Sequence, residues 1–294
     1  MQHFEALKRN IDSTRDLQSV VRTMKTLAAV SIRQYEQAAD ALEDFAETVD
    51  LGLRMVLLDM TQKSYAPLLQ SDGPTGVIIF GSDQGMCGQF NEQIVAYAGD
   101  YLERKAMQPR QASWMVVGAR VEDSLRDSRI DLDFQFSQAS SATGISPLVS
   151  NILVSIDRWR KKRALGAIRV FYNRRISASS YKPHSLQLWP IARKRFFLED
   201  RRSWPSRSLP LYTMPREVLL SRLIRQFLFV TLFRACAESL AGENASRIAS
   251  MQAAEHNIGE RLFRLQSEFN QQRQTAITEE LLDVVTGFEA LKDT

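Results

Sequence analysis

Cysteine, histidine and proline are scarce in this sequence, and each shortage excludes something. The 294 residues include two cysteines, three histidines and nine prolines. Cys87 and Cys236 lie far apart without Cys-x-x-Cys spacing, so neither a disulfide framework nor a structural zinc site is indicated. No apolar run reaches about eighteen residues, and charged residues interrupt the start of the chain, so we expect neither a membrane span nor a signal peptide.

Groups that could carry chemistry are also few. The histidines are scattered, and no spacing places a carboxylate pair beside a nucleophile. We therefore expect no catalytic residue, no cofactor and no metal within this chain. The formal net charge of +4 is modest for this length, which argues against strong nucleic-acid binding by the whole molecule.

The prolines avoid both ends of the chain, which predicts a long helix at each end. Residues 1–66 lack proline and contain one glycine, Gly52. Within them, residues spaced alternately by three and four positions form a heptad seam. These are Val21, Met24, Ala28, Ser31, Tyr35, Ala38, Leu42, Phe45, Val49, Gly52 and Val56. A helix of sixty residues would be roughly 90 Å long.

The second proline-free stretch follows Pro215, a residue favoured at the start of a helix. Its apolar stripe comprises Leu220, Ile224, Phe227, Thr231, Ile258, Leu262, Leu265, Phe269, Ile277, Leu281, Val284, Phe288 and Leu291. Unbroken, this helix would span on the order of 110 Å. Two long striped helices bury their stripes most simply by pairing antiparallel.

The middle of the chain has the pattern of an α/β domain. Apolar runs at Val77–Phe80, "WMVVGARV" and "AIRVFYNRRIS" alternate with the helix-like segments "NEQIVAYAGDYLERKA" and "SPLVSNILVSIDRWRKKRA". We predict a mostly parallel sheet in a Rossmann-like domain over residues 74–212. This domain is inserted between coiled-coil helices at 1–66 and 215–294.

Two local features have alternative interpretations. The loop "GSDQGMCGQFN" follows a strand, as phosphate-binding loops do, but lacks both the GxGxxG and the P-loop spacing, which favours a tight turn with unusual glycine backbone angles. Basic residues gather in "DRWRKKRA" and in "IARKRFFLEDRRSWPSRS" from Ile191. Single-stranded nucleic acid or a membrane surface could bind such clusters, but carboxylates interrupt the second, which favours a solvated loop facing a partner.

The last helix carries a collar of neutral polar groups. It comprises Gln271, Gln272, Gln274, Thr275 and Thr278, with Arg273 as the one cation among them, so it has fewer charges than a freely solvated helix face. Such a surface suits a helix that protein surrounds without holding it permanently. A polar face of no consequence is the alternative.

Three parts of the sequence match motifs of one known family. "VVRTMKTLAAVSIR" from Val20 is similar to its amino-terminal helix, and "SDQGMCGQFN" to its motif SDRGLCGGLN through Ser82, Asp83, Gly85, Cys87, Gly88 and Asn91. "ENASRIASMQAA" and "RQTAITEELLDVVTG" are similar to its carboxy-terminal helix, whose closing pattern is filled by Ile277, Thr278, Glu280, Asp283 and Gly287. Over essentially its whole length the chain resembles the gamma subunits of the F-type ATP synthases. Gln84, Gln89 and Phe288 depart from the family pattern, as in a divergent branch such as the sodium-dependent alternate ATPases.

The resemblance implies a central rotor shaft in a membrane-bound ATP synthase or ion-pumping ATPase, with catalysis in the beta subunits. The implied partners are the alpha and beta subunits of the head, the epsilon subunit and the ring of c subunits, with no nucleic acid. The implied location is peripheral, on the cytoplasmic face of the bacterial cell membrane. By motif match, the residues that contact beta subunits would be Met24, Arg247, Gln274, Thr278 and Glu280.

Two other classes of protein remain open from the residues alone. One is an α/β ligand- or nucleotide-binding module on a coiled-coil tether, with its site at Gly81–Gly88. The other is a coiled-coil nucleic-acid binder that uses the arginine clusters, for which binding should depend steeply on salt.

Overall fold

The computed structural model describes residues 2–58, 73–177, 179–191 and 211–292, with side chains between residues 4 and 285 of these ranges. All but the first residue of the basic cluster that begins at Ile191 lies outside them. The chain forms two compact units. Unit 1 comprises residues 1–27 and 248–294, and unit 2 comprises residues 28–247.

Within the residues that the structure describes, six α-helices and five strands follow one another. The helices are α1 (Gln2–Asp40), α2 (Glu43–Leu58), α3 (Phe90–Arg104), α4 (Ala119–Asp127), α5 (Ile145–Arg163) and α6 (Arg216–Lys292). The strands are β1 (Thr75–Phe80), β2 (Ser113–Val117), β3 (Phe134–Phe136), β4 (Ala167–Ser177) and β5 (Ser180–Trp189). Helix α6 continues for 77 residues without a break.

The amino-terminal helix is divided in two, where one unbroken helix was expected. The break falls at Ala41 and Leu42, where the Leu42 N–H bonds to the carbonyl of Ala39, three residues back. This tighter turn shifts the apolar face of α2, so Phe45, a predicted seam residue, is exposed. Val49 and Val56 keep their buried positions in the seam.

The sheet in unit 2 is mostly parallel, as the alternation of strands and helices predicted. Its strand order is β3-β2-β1-β4-β5, and β5 pairs antiparallel with β4. The sequence indicated β1, β2 and β4 but missed β3, which has three residues, and β5. Strand β5 contains Pro183 and several polar residues, which a strand at the edge of a sheet can accommodate.

Both faces of the sheet are covered, because the successive residues of each buried strand point to opposite sides. Val77 and Ile79 of β1 pack in one cluster with residues of α3 and α4. Ile78 and Phe80 pack in the other cluster with α5 and with Leu232 and other residues of α6. The α/β domain therefore uses the carboxy-terminal helix as part of its core.

Within unit 1, α1 and α6 pair antiparallel. The rings of Phe4 and Phe269 stack with centroids 4.5 Å apart, while Arg22 lies near Glu255. Leu7, Ile11 and Thr14 are buried, and the predicted stripe residues of α6 from Ile258 to Phe269 are half-buried. Farther along α6, Ile277, Leu281 and Val284 are exposed. Among the described residues, no helix is long and apolar enough to cross a membrane.

Gly242 shows how closely α6 approaches the sheet within unit 2. A Cβ at this position would lie 2.7 Å from the carbonyl oxygen of Asn173 in β4, closer than real contacts of this kind. Gly99 in α3 has nothing within 4 Å of the corresponding position. The two helical glycines therefore have different reasons for lacking a side chain.

We predict opposite effects when each of these glycines is replaced by alanine. Gly242→Ala should lower the free energy of unfolding by about 1–2 kcal/mol, since backbone crowding outweighs the gain in helix propensity. Gly99→Ala should raise it by about 0.5–1 kcal/mol through helix propensity alone. Chemical unfolding of the purified chain followed by circular dichroism measures both. Equal stabilisation by the two substitutions would show that α6 does not pack closely on β4.

Candidate functional site

The loop after β1 is held by hydrogen bonds among its own polar side chains. Asn91, at the start of α3, accepts a hydrogen bond from the backbone N–H of Ser82 at 2.9 Å and donates one to Ser82 Oγ at 2.9 Å. Ser82 Oγ also donates to the carbonyl of Gln84 at 2.9 Å and lies 3.5 Å from Cys87 Sγ. The motif residues Ser82, Cys87 and Asn91 thus form one buried cluster.

Asp83 fastens this loop to the ends of the neighbouring strands. Its carboxylate accepts hydrogen bonds from the backbone N–H groups of Ala119 and Gln138, both at 2.9 Å. Ala119 is the first residue of α4, where backbone N–H groups attract anions. A carboxylate of the chain itself therefore occupies N–H groups that a phosphate would otherwise use.

The glycines of the loop serve close packing as well as backbone conformation. A Cβ at Gly81 would lie 2.5 Å from Cβ of Val121, so only glycine fits between the loop and α4. Gly88 has a φ of 57°, and Met86 also has positive φ, at 60°. The expectation of unusual backbone angles is correct for Gly88 and wrong for Gly81 and Gly85, which do not have positive φ.

Helix α6 closes over this loop. Ser246 Oγ donates a hydrogen bond to the carbonyl of Cys87 at 2.5 Å. Asn173 of β4 donates to the carbonyl of Phe90 at 2.8 Å, one residue before Asn91. Burial raises the pKa of the Cys87 thiol, which makes it a poor nucleophile at neutral pH. The arrangement suits docking of a helix better than chemistry.

A buried ion pair lies on the same part of α6. Arg247 Nη2 donates to Glu243 Oε1 at 2.6 Å, and both side chains are buried. Burial raises the pKa of Glu243, while the charge of Arg247 and hydrogen bonds from Gln138 and Arg247 oppose that rise. Gln138 also donates to the carbonyl of Gly81 at 2.9 Å, so it joins the pair to the loop.

The structure separates the residues expected to contact beta subunits. Gln274, Thr278 and Glu280 are exposed on α6 in unit 1, and Met24 is half-buried on α1 in the same unit. Thr278 Oγ1 donates to the carbonyl of Gln274 at 2.8 Å. Arg247 belongs to unit 2, where its guanidinium forms an ion pair with Glu243. Contact between these residues and other subunits stays a prediction.

Sequence reasoning missed Glu243, Ser246 and Gln138, which take part in the contact between α6 and the loop after β1. The spacing of Glu243 and Arg247 by four residues could have indicated an ion pair on one helix face. Its burial depends on contacts with a loop more than a hundred residues away in sequence. Among the described residues, no group of three or more histidine, cysteine, aspartate or glutamate side chains could hold a metal ion.

The described residues form long helices near both ends of the chain and an α/β domain between them, and comparison with known proteins identifies the family. The ATP synthase family matches residues 3–291. An ATP synthase gamma chain from Rhizobium rhizogenes is 27% identical over 296 residues, covering 99% of this chain and 100% of the relative.

Two solved structures have the same fold. A chain in the central stalk and c-ring of the mitochondrial ATP synthase of Tetrahymena thermophila has a TM-score of 0.58 and 18% identity, covering 80% of this chain and 99% of that one. A chain in the mitochondrial ATP synthase of Euglena gracilis, from a structure of OSCP, F1 and the c-ring, has a TM-score of 0.65 and 17% identity, covering 99% and 95%.

The chain belongs to the ATP synthase family. The resemblance to its gamma subunits and the predicted fold class, an α/β domain inserted in an antiparallel pair of long terminal helices, are both confirmed. The division at 1–66, 74–212 and 215–294 and the sodium-dependent branch stay predictions.

We predict that Arg247→Ala destabilises unit 2, since it leaves the buried carboxylate of Glu243 without its cation. The expected loss is about 3 kcal/mol in the free energy of unfolding at pH 8. Arg234→Ala is a matched control, because Arg234 pairs with Glu238 at the same spacing but is mostly exposed, and it should cost less than about 1 kcal/mol. Unfolding in denaturant measures both.

The loss should also depend on pH. Without Arg247 the folded-state pKa of Glu243 rises further above its unfolded value. The folded chain then keeps a proton on Glu243 that the unfolded chain releases as pH increases, so the folded state becomes less stable at higher pH. The difference between Arg247→Ala and the unsubstituted chain should therefore be smaller at pH 5 than at pH 8. A difference that is equal at both pH values would contradict a role for the Glu243 charge.

Proposed function

We propose that this chain is the central rotor shaft of a membrane-bound ATP synthase. It couples ion flow through a ring of c subunits to conformational change in catalytic beta subunits. The observation that carries the proposal is the change in surface along α6. Residues 232–247 are nearly all buried in unit 2, whereas residues 273–285 are all exposed.

The exposed part of α6 is suited to a surrounding protein. It carries Ile277, Leu281, Leu282, Val284 and Val285, all at least 49% exposed. Apolar side chains at this density on a solvated helix favour association, because burying them removes apolar area from water. The neutral polar collar that precedes them offers hydrogen bonds without strong charges that would fix one angle of rotation.

The mechanism follows from an asymmetric shaft among equivalent partners. Each angle of the shaft presents different side chains to each of three beta subunits, and so favours a different conformation in each. The work is transmitted through a stiff helix pair, and the chain itself catalyses nothing. The proposed contacts with beta subunits are Met24, Arg247, Gln274, Thr278 and Glu280. The α/β domain is the proposed contact with the epsilon subunit and the c-ring.

The proposed location is the cytoplasmic face of a bacterial membrane, where the chain is held by its partners in the complex. Similar ATP synthase gamma chains from the bacteria Rhizobium rhizogenes and Granulibacter bethesdensis are matched over 99% of this chain. Attachment through the complex needs no membrane span in the chain itself. Whether the transported ion is a proton or sodium is decided by other subunits.

A ligand-binding module on a tether is the second candidate function. The polar groups of the loop at Gly81–Gly88 favour the shaft instead, because they bond to one another, to α4 and to α6. A nucleotide-binding assay on the isolated chain separates the two functions. The rotor function requires no binding there, whereas micromolar affinity would support the ligand-binding module.

We predict that Gln274→Ala weakens coupling without unfolding the chain. Gln274 is exposed, so the substitution removes an amide that a partner subunit can reach and leaves the packing of the chain unchanged. The ratio of ion pumping to ATP hydrolysis in the reconstituted complex should fall roughly two- to five-fold, as expected for the loss of one hydrogen bond. Gln266→Ala, at an exposed position outside the collar, is the control and should leave this ratio unchanged. Equal ratios for both variants would remove Gln274 from the contact surface.

A further inference from the structure

The contact between α1 and α6 within unit 1 is made mostly by half-buried side chains over part of its length. Leu7, Ile11 and Thr14 of α1 are buried, but no residue from 15 to 27 is. The facing part of α6 contributes half-buried small residues, including Ala254 and Gly259. A Cβ at Gly259 would meet nothing within 4 Å. On α6 Met251 is buried, while Val21 and Met24 of α1 are half-buried. Apolar packing therefore holds this stretch of the helix pair less tightly than the stretch that contains Leu7 and Ile11.

An ion triad joins the two helices in this same stretch. Glu255 of α6 accepts from Arg22 Nε at 2.8 Å through one carboxylate oxygen and from Lys25 Nζ at 2.5 Å through the other. Hydrogen bonds from Lys25 and then Arg22 lower the pKa of Glu255, so it is ionised at neutral pH. Two cations on one carboxylate form a network, which holds geometry better than an isolated surface pair.

The triad differs in kind from the neighbouring ion pairs. Arg15 with Asp12, and Arg264 with Glu260, each join residues of a single helix. Such pairs support a helix but place no restraint on its neighbour. Arg22 and Lys25 lie three residues apart on one face of α1, so binding both of them restrains rotation of α1 about its own axis.

The restrained stretch carries an apolar stripe that is exposed except at the half-buried Met24. Leu17, Val20 and Leu27 are 57%, 54% and 61% exposed, and Met24, which lies between the two cations in sequence, is half-buried. These four residues are spaced by three, four and three positions, so they share one side of α1. Any rotation of α1 about its axis would move the whole stripe relative to the surrounding subunits.

We propose that Glu255 is a positioning residue that binds Arg22 and Lys25 to fix the angle of α1, and with it the stripe of Leu17, Val20, Met24 and Leu27. This role rests on the proposed function as a rotor shaft. A stripe held at one angle turns with α6. Without these bonds the stripe is held only through the backbone of α1, and twisting of that helix would let part of each rotation pass without moving a beta subunit.

The test uses the complete ATPase complex in lipid vesicles, with ATP hydrolysis and ATP-driven ion pumping measured on the same sample. Glu255→Gln should keep most of the hydrolysis but lower the number of ions pumped per ATP by about three-fold. A change of this size matches the free energy that a small surface ion network contributes. The inverted triad, Arg22→Glu with Lys25→Glu and Glu255→Lys, should restore at least half of the lost pumping. Glu260→Gln is the matched control, because Glu260 lies on the same helix and pairs with other residues of that helix. It should change neither rate.

Pumping per ATP by Glu255→Gln equal to that of the unsubstituted complex would overturn the proposal. Failure of both Glu255→Gln and the inverted triad to assemble would also overturn it, because Glu255 would then serve folding alone. Thermal unfolding of the isolated Glu255→Gln and inverted-triad chains measures any contribution of Glu255 to folding separately. If vesicles assembled without this chain pump ions as well as complete ones, the rotor function fails, whatever the Glu255 variants do.

Discussion

The docking of α6 on the loop after β1 is the interaction on which unit 2 depends. Gly242 lets the helix backbone approach β4, Ser246 bonds the carbonyl of Cys87, and Gln138 links Glu243 to the loop. Each contact is polar or steric rather than apolar, so it fixes the position of the helix as well as its attachment. The apolar cluster beneath then packs α6, α2 and the sheet into one core.

The loop after β1 has the setting of a phosphate-binding loop, but a carboxylate of its own occupies nearby backbone N–H groups. Glycines in such a turn allow close approach of backbone to an anion. Here the anion is the carboxylate of Asp83, held by the N–H groups of Ala119 and Gln138. The loop therefore binds parts of its own chain, and the family motif from Ser82 to Asn91 connects β1, α4 and α6 structurally.

The features predictable from sequence were those that repeat along the chain. The absence of proline and the spacing of apolar residues predicted α6 and the pairing of terminal helices, and buried runs predicted β1, β2 and β4. Features that depend on a few contacts were not predictable. No glycine or proline marks the break at Ala41, and β5 is a strand because β4 offers it an edge.

The candidate site shows the same division between repeated patterns and single contacts. The exposure of Gln274 and Thr278 agrees with a collar inferred from composition. The burial of Arg247 could not be inferred, because it requires Glu243, Gln138 and the loop at Gly81 to meet in three dimensions. A motif match identifies a residue without revealing which of its neighbours it already bonds.

Helix α6 combines two roles that place opposite demands on a surface. A segment fixed in a domain needs buried apolar or paired polar side chains, as residues 232–247 have. A segment that turns inside a ring of partners needs a surface that associates with them without strong charges that would fix one angle, and neutral amides, hydroxyls and apolar side chains provide one. One continuous helix contains both segments, so the same ladder of backbone hydrogen bonds runs through the fixed segment and the exposed one.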